Sequence, residues 1–198
     1  TPGISDPGAI LVQRVRAQGY SVIPIPGANA AVCALSAAGI TNPHFLFYGF
    51  LPTKTGLRQR ELTALQSQTN TLIFYEAPHR ILECVTDMLV VFGPQRQLTI
   101  ARELTKLFET IHVGTLQETL VWLQADTNQQ KGEFVLLLSG AEILDKSEVS
   151  EQARHTLTCL LNELPLKQAV KLTTEITGEN KNSLYQLALD LKAAKSPE

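Results

Sequence analysis

A chain of 198 residues, 44% of them hydrophobic and 18% charged, is long enough for one large or two modest domains and can bury a core. Its 17 lysines and arginines stand against 19 aspartates and glutamates, a net charge of −2, so no global positive field advertises a nucleic-acid partner and any such contact has to come from a local patch. The cysteines Cys33, Cys84 and Cys159 lie far apart in apolar patterns, the histidines show no metal-ligand spacing, and no apolar run approaches the roughly 18 residues of a membrane span. A soluble, cytoplasmic protein with reduced core cysteines, no metal and no membrane segment is therefore expected.

The chain opens on T-P-G-I-S-D-P-G, a turn-rich loop whose two glycines permit close backbone approach to a ligand. Thr1 reads as the middle of a loop, which suggests the carboxyl-terminal part of a longer polypeptide. Asp6 as N-cap and Pro7 at the first helical position predict a helix to about Gln18 that buries Ile10, Leu11 and Val15 and stops at Gly19. A strand is expected at Tyr20 to Ile25. Pro26-Gly27 then turns into a helix rich in small residues, Ala28 to Ala38, which suits either close packing on a sheet or close approach of a ligand.

Phe45 to Phe50 alternates as a half-buried strand does, and Pro52 to Arg60 reads as a polar loop entering a helix near Leu57 to Gln66. Lys54, Arg58 and Arg60 make this the most basic local stretch, either a solvated face or a phosphate-contacting edge. Leu72 to Tyr75 is a short β-branched and aromatic run, long enough for a strand and too short for a helix. Ala77-Pro78 should start the next helix, in which Ile81, Leu82, Val85, Met88, Leu89 and Phe92 recur with helical spacing until Gly93-Pro94. Glu76, His79 and Arg80 thus cluster at the carboxyl end of a strand, where ligands bind in open α/β sheets. They could equally decorate a first helical turn.

Leu98 to Arg102 and Phe108 to Val113 are joined so tightly that they must run antiparallel, which leaves Arg102, Glu103 and Lys106 at a hairpin end. These residues can form a site or simply pair within the hairpin. Thr115 and Glu118 predict a capping box for a helix to about Gln124, and Lys131-Gly132-Glu133 leads into Phe134 to Leu138, a continuous apolar run expected to be a central strand. After a polar linker at 141–150, three helical patterns follow: one with Val149, Ala153, Leu157 and Leu160, one with Leu166, Ala169, Val170 and Ile176 ending at Gly178, and one with Leu184, Leu187, Ala188 and Leu191. The last two have the outline of a helix-turn-helix, although the few cations on the final helix argue against a major-groove reader.

Taken together, T-P-G-I-S-D-P-G, P-I-P-G, G-F-L-P, F-Y-E-A-P-H-R, A-R-E-L-T-K, K-G-E, L-P-L-K and K-N-S-L-Y, in this order, resemble the small-subunit ribosomal RNA methyltransferase I group of the tetrapyrrole methylase superfamily. The resemblance implies an α/β, tetrapyrrole-methylase-like two-lobed fold with a small C-terminal helical domain. Residues 1–41 would be the remainder of an N-terminal cofactor lobe, 42–142 the second α/β lobe and 149–195 the helical domain. It also implies a further amino-terminal segment, so the first lobe is expected to be incomplete and residues 1–198 alone to bind cofactor poorly.

By the same resemblance the reaction is S-adenosyl-L-methionine-dependent 2′-O-ribose methylation of a cytidine in small-subunit (16S) ribosomal RNA, carried out by a homodimer. Thr1, Pro2, Gly3, Ile4, Pro26, Gly27, Ala30, Phe74, Tyr75 and Glu76 match cofactor-binding positions. Glu76, Glu103 and His79 are candidates for the base that draws the proton from the ribose hydroxyl. Lys54, Arg58, Arg60, Arg80, Arg102, Lys106 and Lys131 are candidates for holding RNA phosphates, and Lys167, Lys171 and Lys181 for docking the tail on the ribosomal subunit. Methylation of a tetrapyrrole precursor, or a non-catalytic RNA-binding module, are the alternative readings.

Overall fold

The computed structural model describes residues 1–141 and 149–193, and the chain divides into two compact units, Thr1–Ala141 and Glu142–Glu198. Residues 142–148 of the expected linker lie outside the described residues. The first unit is built on five strands, β1 (Phe45–Phe50), β2 (Thr71–Glu76), β3 (Gln97–Arg102), β4 (Thr110–Thr115) and β5 (Phe134–Leu138), in the order β1-β2-β5-β3-β4. β1 runs parallel to β2, while β5 is antiparallel to both of its neighbours and β3 to β4. All five residues of β5 are buried, as its uninterrupted apolar run requires of a strand covered on both faces.

Alternation along the strands divides the core in two, because successive side chains point to opposite faces. Leu72, Phe74, Leu98, Ile100, Leu136 and Leu138 face three helices, α3 (Thr55–Ala64), α4 (Ile81–Phe92) and α5 (Leu116–Ala125). Ile73, Ala101, Val135 and Leu137 face α2 (Ala30–Ala37), whose Ala31 and Ala34 are buried against them. Sheet packing therefore accounts for those two small residues of α2. Val32, the bulkier side chain between them, is exposed. The capping box of Thr115 and Glu118 forms at the start of α5 as its spacing predicts.

Four expectations need correction. Helix α1 spans Ala9–Ala17, later than Asp6-Pro7 suggested, and it begins at Gly8 without a side-chain cap. It buries nothing: Ile10 is 69% and Leu11 66% exposed. The expected strand at Tyr20 to Ile25 has no ladder, since among the described residues no strand lies beside it to pair with, and Ile23 and Ile25 are 80% and 87% exposed. Helix α4 begins at Ile81, not Pro78, because the Arg80 amide closes a turn on the Ala77 carbonyl at 3.0 Å and Arg80 itself keeps a non-helical backbone. Helix α3 begins at Thr55, so Arg58 lies on its buried face.

That last shift reassigns Arg58. Its guanidinium, 0% exposed, meets Asp87 of α4 at 2.5 Å and donates to the Thr53 carbonyl at 3.2 Å. Gln59 takes the other oxygen of Asp87 at 2.7 Å. Burial works against the arginine's charge, but the Asp87 carboxylate more than offsets it and pushes the Arg58 pKa up. Asp87 interrupts the apolar side of α4 and would be an isolated buried charge without this partner.

The second unit holds α6 (Glu151–Glu163), α7 (Leu166–Thr177) and α8 (Lys181–Ala193), packed through Ala153, Leu157, Ala169, Val170, Leu184 and Ala188. Ser150 caps α6 by accepting from the Ala153 amide at 3.2 Å, and Gly178 takes the left-handed conformation that ends α7. Ile176, expected inside, is exposed. Cys159 is also exposed, 3.7 Å from the His155 ring nitrogen, whereas Cys84 is buried as expected. Among the described residues no helix is long and apolar enough to cross a membrane, and no group of three or more His, Cys, Asp and Glu could hold a metal ion.

Breaking the Arg58–Asp87 pair from one side leaves a buried charge without its partner. Arg58→Ala is expected to destabilise the fold by about 3–5 kcal/mol, read from urea unfolding. A loss well under 1 kcal/mol would show that Asp87 is solvated and the pair unimportant.

Candidate active site at the ends of β1 and β2

Where β1 and β2 end and β5 begins, a cavity of about 470 Å³ opens. Tyr75, Glu76 and Pro78 form its wall on the β2 side, Phe50 on the β1 side, and Glu133 and Phe134 at the start of β5. Ser5 and Ala30 approach from the amino-terminal loop and the start of α2. The loop can come this close because Gly49 has no side chain: at its φ of +84° a Cβ would stand 2.8 Å from the Ser5 hydroxyl.

Tyr75 joins the sheet to α2. Its hydroxyl accepts from the Ala31 amide at 3.2 Å, and the carboxamide oxygen of Asn29, the N-cap of α2, accepts from the same amide at 3.0 Å. Phe47 and Phe50 set their rings edge-on to Tyr75, with centroids 5.0 and 5.7 Å away. Glu76 is nearly fully buried. Its Oε1 accepts from the Ala77 amide and the Arg80 Nε, both at 2.8 Å. Burial first, and then the Glu76 charge and a hydrogen bond to its carboxylate, push the neighbouring Cys84 thiol well above its ordinary pKa, so Cys84 stays a neutral thiol.

The structure gathers some of the expected cofactor residues and not others. Ala30, Tyr75 and Glu76 line the cavity. Thr1 donates to the Ala28 carbonyl at 2.8 Å, which ties the first loop to the Pro26–Gly27 segment, but Pro2, Gly3 and Ile4 stay outside the cavity wall, and so do Pro26 and Gly27. The Phe74 side chain belongs to the opposite core, against Tyr48 with ring centroids 5.6 Å apart, because it sits one residue out of phase with Tyr75. Its expected contact with cofactor is corrected on that ground.

Of the three candidate bases, Glu76 lies at the cavity, but its side chain is 0% exposed and turned onto Arg80; His79 is exposed on the turn before α4, and Glu103 lies at the β3–β4 hairpin. Glu103 accepts from Lys106 at 2.9 Å and from the Glu133 amide at 2.8 Å, contacts that hold its carboxyl below the ordinary range, Lys106 contributing most. A carboxylate held that way is a weaker base. Gly132, at φ +100°, makes the arrangement possible, since a Cβ there would overlap the Glu103 side chain.

Among the expected phosphate ligands, Arg58 and Arg102 are buried and committed internally, and both expectations are corrected. Arg102 donates to the Asn128 and Lys131 carbonyls at 3.3 and 3.1 Å and to the Thr110 hydroxyl at 3.1 Å, which is the plain pairing within the hairpin region. Arg80 is turned inward onto Glu76, and Lys106 bridges Glu103 and Glu133 at 2.9 and 3.0 Å. Lys131 reaches the Asn128 side chain at 2.9 Å and remains exposed, as do Lys54 and Arg60. Ser5, Phe50, Leu104 and Glu133 border the cavity although sequence reasoning did not single them out. Each adjoins or lies within one of the motifs that carry the family resemblance, and only the three-dimensional convergence of those motifs reveals them.

Residues 1–120 match the family of tetrapyrrole (corrin/porphyrin) methylases, and residues 147–192 match the RsmI C-terminal HTH domain. The chain is 50% identical over 190 residues to ribosomal RNA small subunit methyltransferase I of Pseudomonas aeruginosa, an alignment that takes in 96% of this chain and 67% of that protein. Against the Vibrio cholerae protein of the same name the identity is 46%, over 96% of this chain and 66% of that one. The chain thus spans about two thirds of the length of these relatives. Among solved structures, the methyltransferase CobJ superposes with a TM-score of 0.53 at 20% identity, covering 71% of this chain and 61% of that one, which supports the fold. The two family matches and the identity across nearly its whole length place this chain in the ribosomal RNA small subunit methyltransferase I family of tetrapyrrole methylases.

Proposed function

We propose that this chain carries the cofactor-binding and methyl-transfer elements of an S-adenosyl-L-methionine-dependent methyltransferase that modifies a cytidine ribose 2′-hydroxyl of small-subunit (16S) ribosomal RNA. The observation that carries the reading is the cavity at the ends of β1 and β2. Its size falls within the roughly 300–1,000 Å³ of small-molecule sites. Aromatic side chains from Phe50 and Tyr75 with the carboxylate of Glu133 suit a ligand that joins an aromatic base to positive charge.

When bound, S-adenosyl-L-methionine supplies a methyl group already activated on its sulfonium. What is left to the protein is orientation, exclusion of water and management of one proton. Tyr75, fixed by its bond to the Ala31 amide, and Phe50 give the cavity rigid aromatic walls. Glu76 holds the end of β2 through its pair with Arg80, and its fully buried carboxylate, out of reach of the cavity, is set aside as the proton acceptor. Glu103 is set aside for that role because Lys106 lowers its basicity.

Lys54 and Arg60, exposed at the start of α3 and on its outer side, are the proposed phosphate-contacting edge, with Lys131 as a further candidate. The helical unit, with Lys167 and Lys181 exposed, is proposed to dock the ribosomal subunit.

Transfer of labelled methyl from S-adenosyl-L-methionine to small ribosomal subunits, measured with the polypeptide that carries this sequence at full length, tests the reading. Incorporation at a ribose of the RNA is expected. Labelling of a porphyrin precursor instead of RNA would replace it with the tetrapyrrole reading. For the basic edge, Lys54→Ala with Arg60→Ala should reduce the salt dependence of RNA binding by roughly 0.7–0.9 in slope for each phosphate no longer neutralised. An unchanged slope means that both are solvated surface charges.

A further inference from the structure

The β1–β2 ladder ends with Phe50 opposite Tyr75, and the next residues in that register are Leu51 and Glu76. It cannot be extended in the ordinary way, because Pro52 follows and has no N–H to donate. A side chain takes over at this point. Arg80 sends Nη2 to the Leu51 carbonyl at 3.1 Å, while the same guanidinium meets Glu76 Oε1 through Nε at 2.8 Å and Nη2 at 2.7 Å. One planar group thus bridges the backbone of one strand end to the side chain of the other.

The arrangement continues into the following loop. Arg58, anchored on Asp87, donates to the Pro52 carbonyl at 3.5 Å and the Thr53 carbonyl at 3.2 Å, so three successive carbonyls turn inward onto two guanidinium groups. The β1 end has particular need of an external tie. Its register with β2 shifts between Phe47 and Gly49, so the ladder by itself fixes the position of Phe50 less firmly than an unbroken one would. Phe50 and Tyr75 are the side chains that these two strand ends present to the cavity.

We propose that Arg80 is a positioning residue for cofactor binding: its guanidinium sets the separation of the β1 and β2 ends and thereby where Phe50 and Tyr75 stand in the cavity. This rests on the reading that the cavity takes S-adenosyl-L-methionine. The side chain of Arg80 is only 13% exposed and its Nε and Nη2 donors are engaged by Glu76 and Leu51, which leaves it poorly placed to hold an RNA phosphate. The fork geometry matters as much as the charge. A lysine ammonium in its place is a single point donor and cannot meet the Leu51 carbonyl and the Glu76 carboxylate in the same plane.

The test is Arg80→Lys in the polypeptide at full length, a change that leaves a cation beside Glu76 so that the buried carboxylate is not abandoned, compared with Arg80→Ala. Three readouts are needed: amide hydrogen exchange of residues 50–54 without ligand, affinity for S-adenosyl-L-methionine by calorimetry, and the salt slope of RNA binding. Arg80→Lys should speed exchange at 50–54 and weaken cofactor binding on the order of tenfold to a hundredfold, with the RNA slope unchanged. Unchanged exchange at 50–54 would overturn the tie, whatever the cofactor result. Faster exchange with undiminished cofactor affinity would overturn its role in positioning, and a slope reduced by about 0.7–0.9 would make Arg80 a phosphate ligand instead. A wild-type protein that binds no S-adenosyl-L-methionine would sink the reading of the cavity itself, an outcome the ligand-free exchange measurement keeps separate. Should Arg80→Ala fail to fold, the lysine variant alone decides.

Discussion

Pairing of β2 with β5 is the constraint on which the rest of the first unit depends. The two strands are far apart in sequence, yet Leu72 stands opposite Leu138 and Glu76 opposite Phe134, with every residue of β5 buried. Their antiparallel direction brings the end of β2 to the beginning of β5, so that Tyr75 and Glu76 meet Glu133 and Phe134 at one edge of the sheet. A one-residue slip would turn Tyr75 into the α3–α5 core and Phe74 into the cavity. The apolar faces on both sides of the sheet exclude that slip, because it would expose one set of large side chains and bury the wrong one.

Around that edge, charge is used inward. Arg58, Arg80 and Arg102 could each have faced a polyanion, but each spends its donors on carbonyls and, for the first two, on a carboxylate. Planar guanidinium groups do this well because several donors leave one rigid group in fixed directions. The lysines among the described residues and Arg60 remain outside, where charge alone counts. The division explains how a chain of net charge −2 can keep a cavity well ordered while offering only a modest basic surface.

Much of this was legible in the sequence wherever a local pattern is also a tertiary one. The apolar runs of β2 and β5, the tight β3–β4 connection, the Thr115–Glu118 box and the helical stripes of α4 and α6 all announce themselves, since burial and capping act on neighbouring residues. Tyr20 to Ile25 shows the limit: β propensity describes a strand that would form given a neighbour, and it cannot supply the neighbour. Arg58 shows another. A cation near other cations reads as surface until Asp87 is noticed, a carboxylate set into the apolar side of α4 that calls for a buried partner. The cavity was half legible. Tyr75 and Glu76 stand where a strand ends, whereas Phe50 and Glu133 belong to it only because β1 and β5 flank β2.

Placement of the cofactor site at the joined ends of β1, β2 and β5 is the central claim, and a crystal structure of the polypeptide with bound S-adenosyl-L-homocysteine tests it most directly. The account predicts ligand density bordered by Ala30, Phe50, Tyr75, Glu76 and Phe134, with the Arg80 guanidinium still joining Glu76 to the Leu51 carbonyl. Density elsewhere on the molecule, with this cavity left to water, would contradict it.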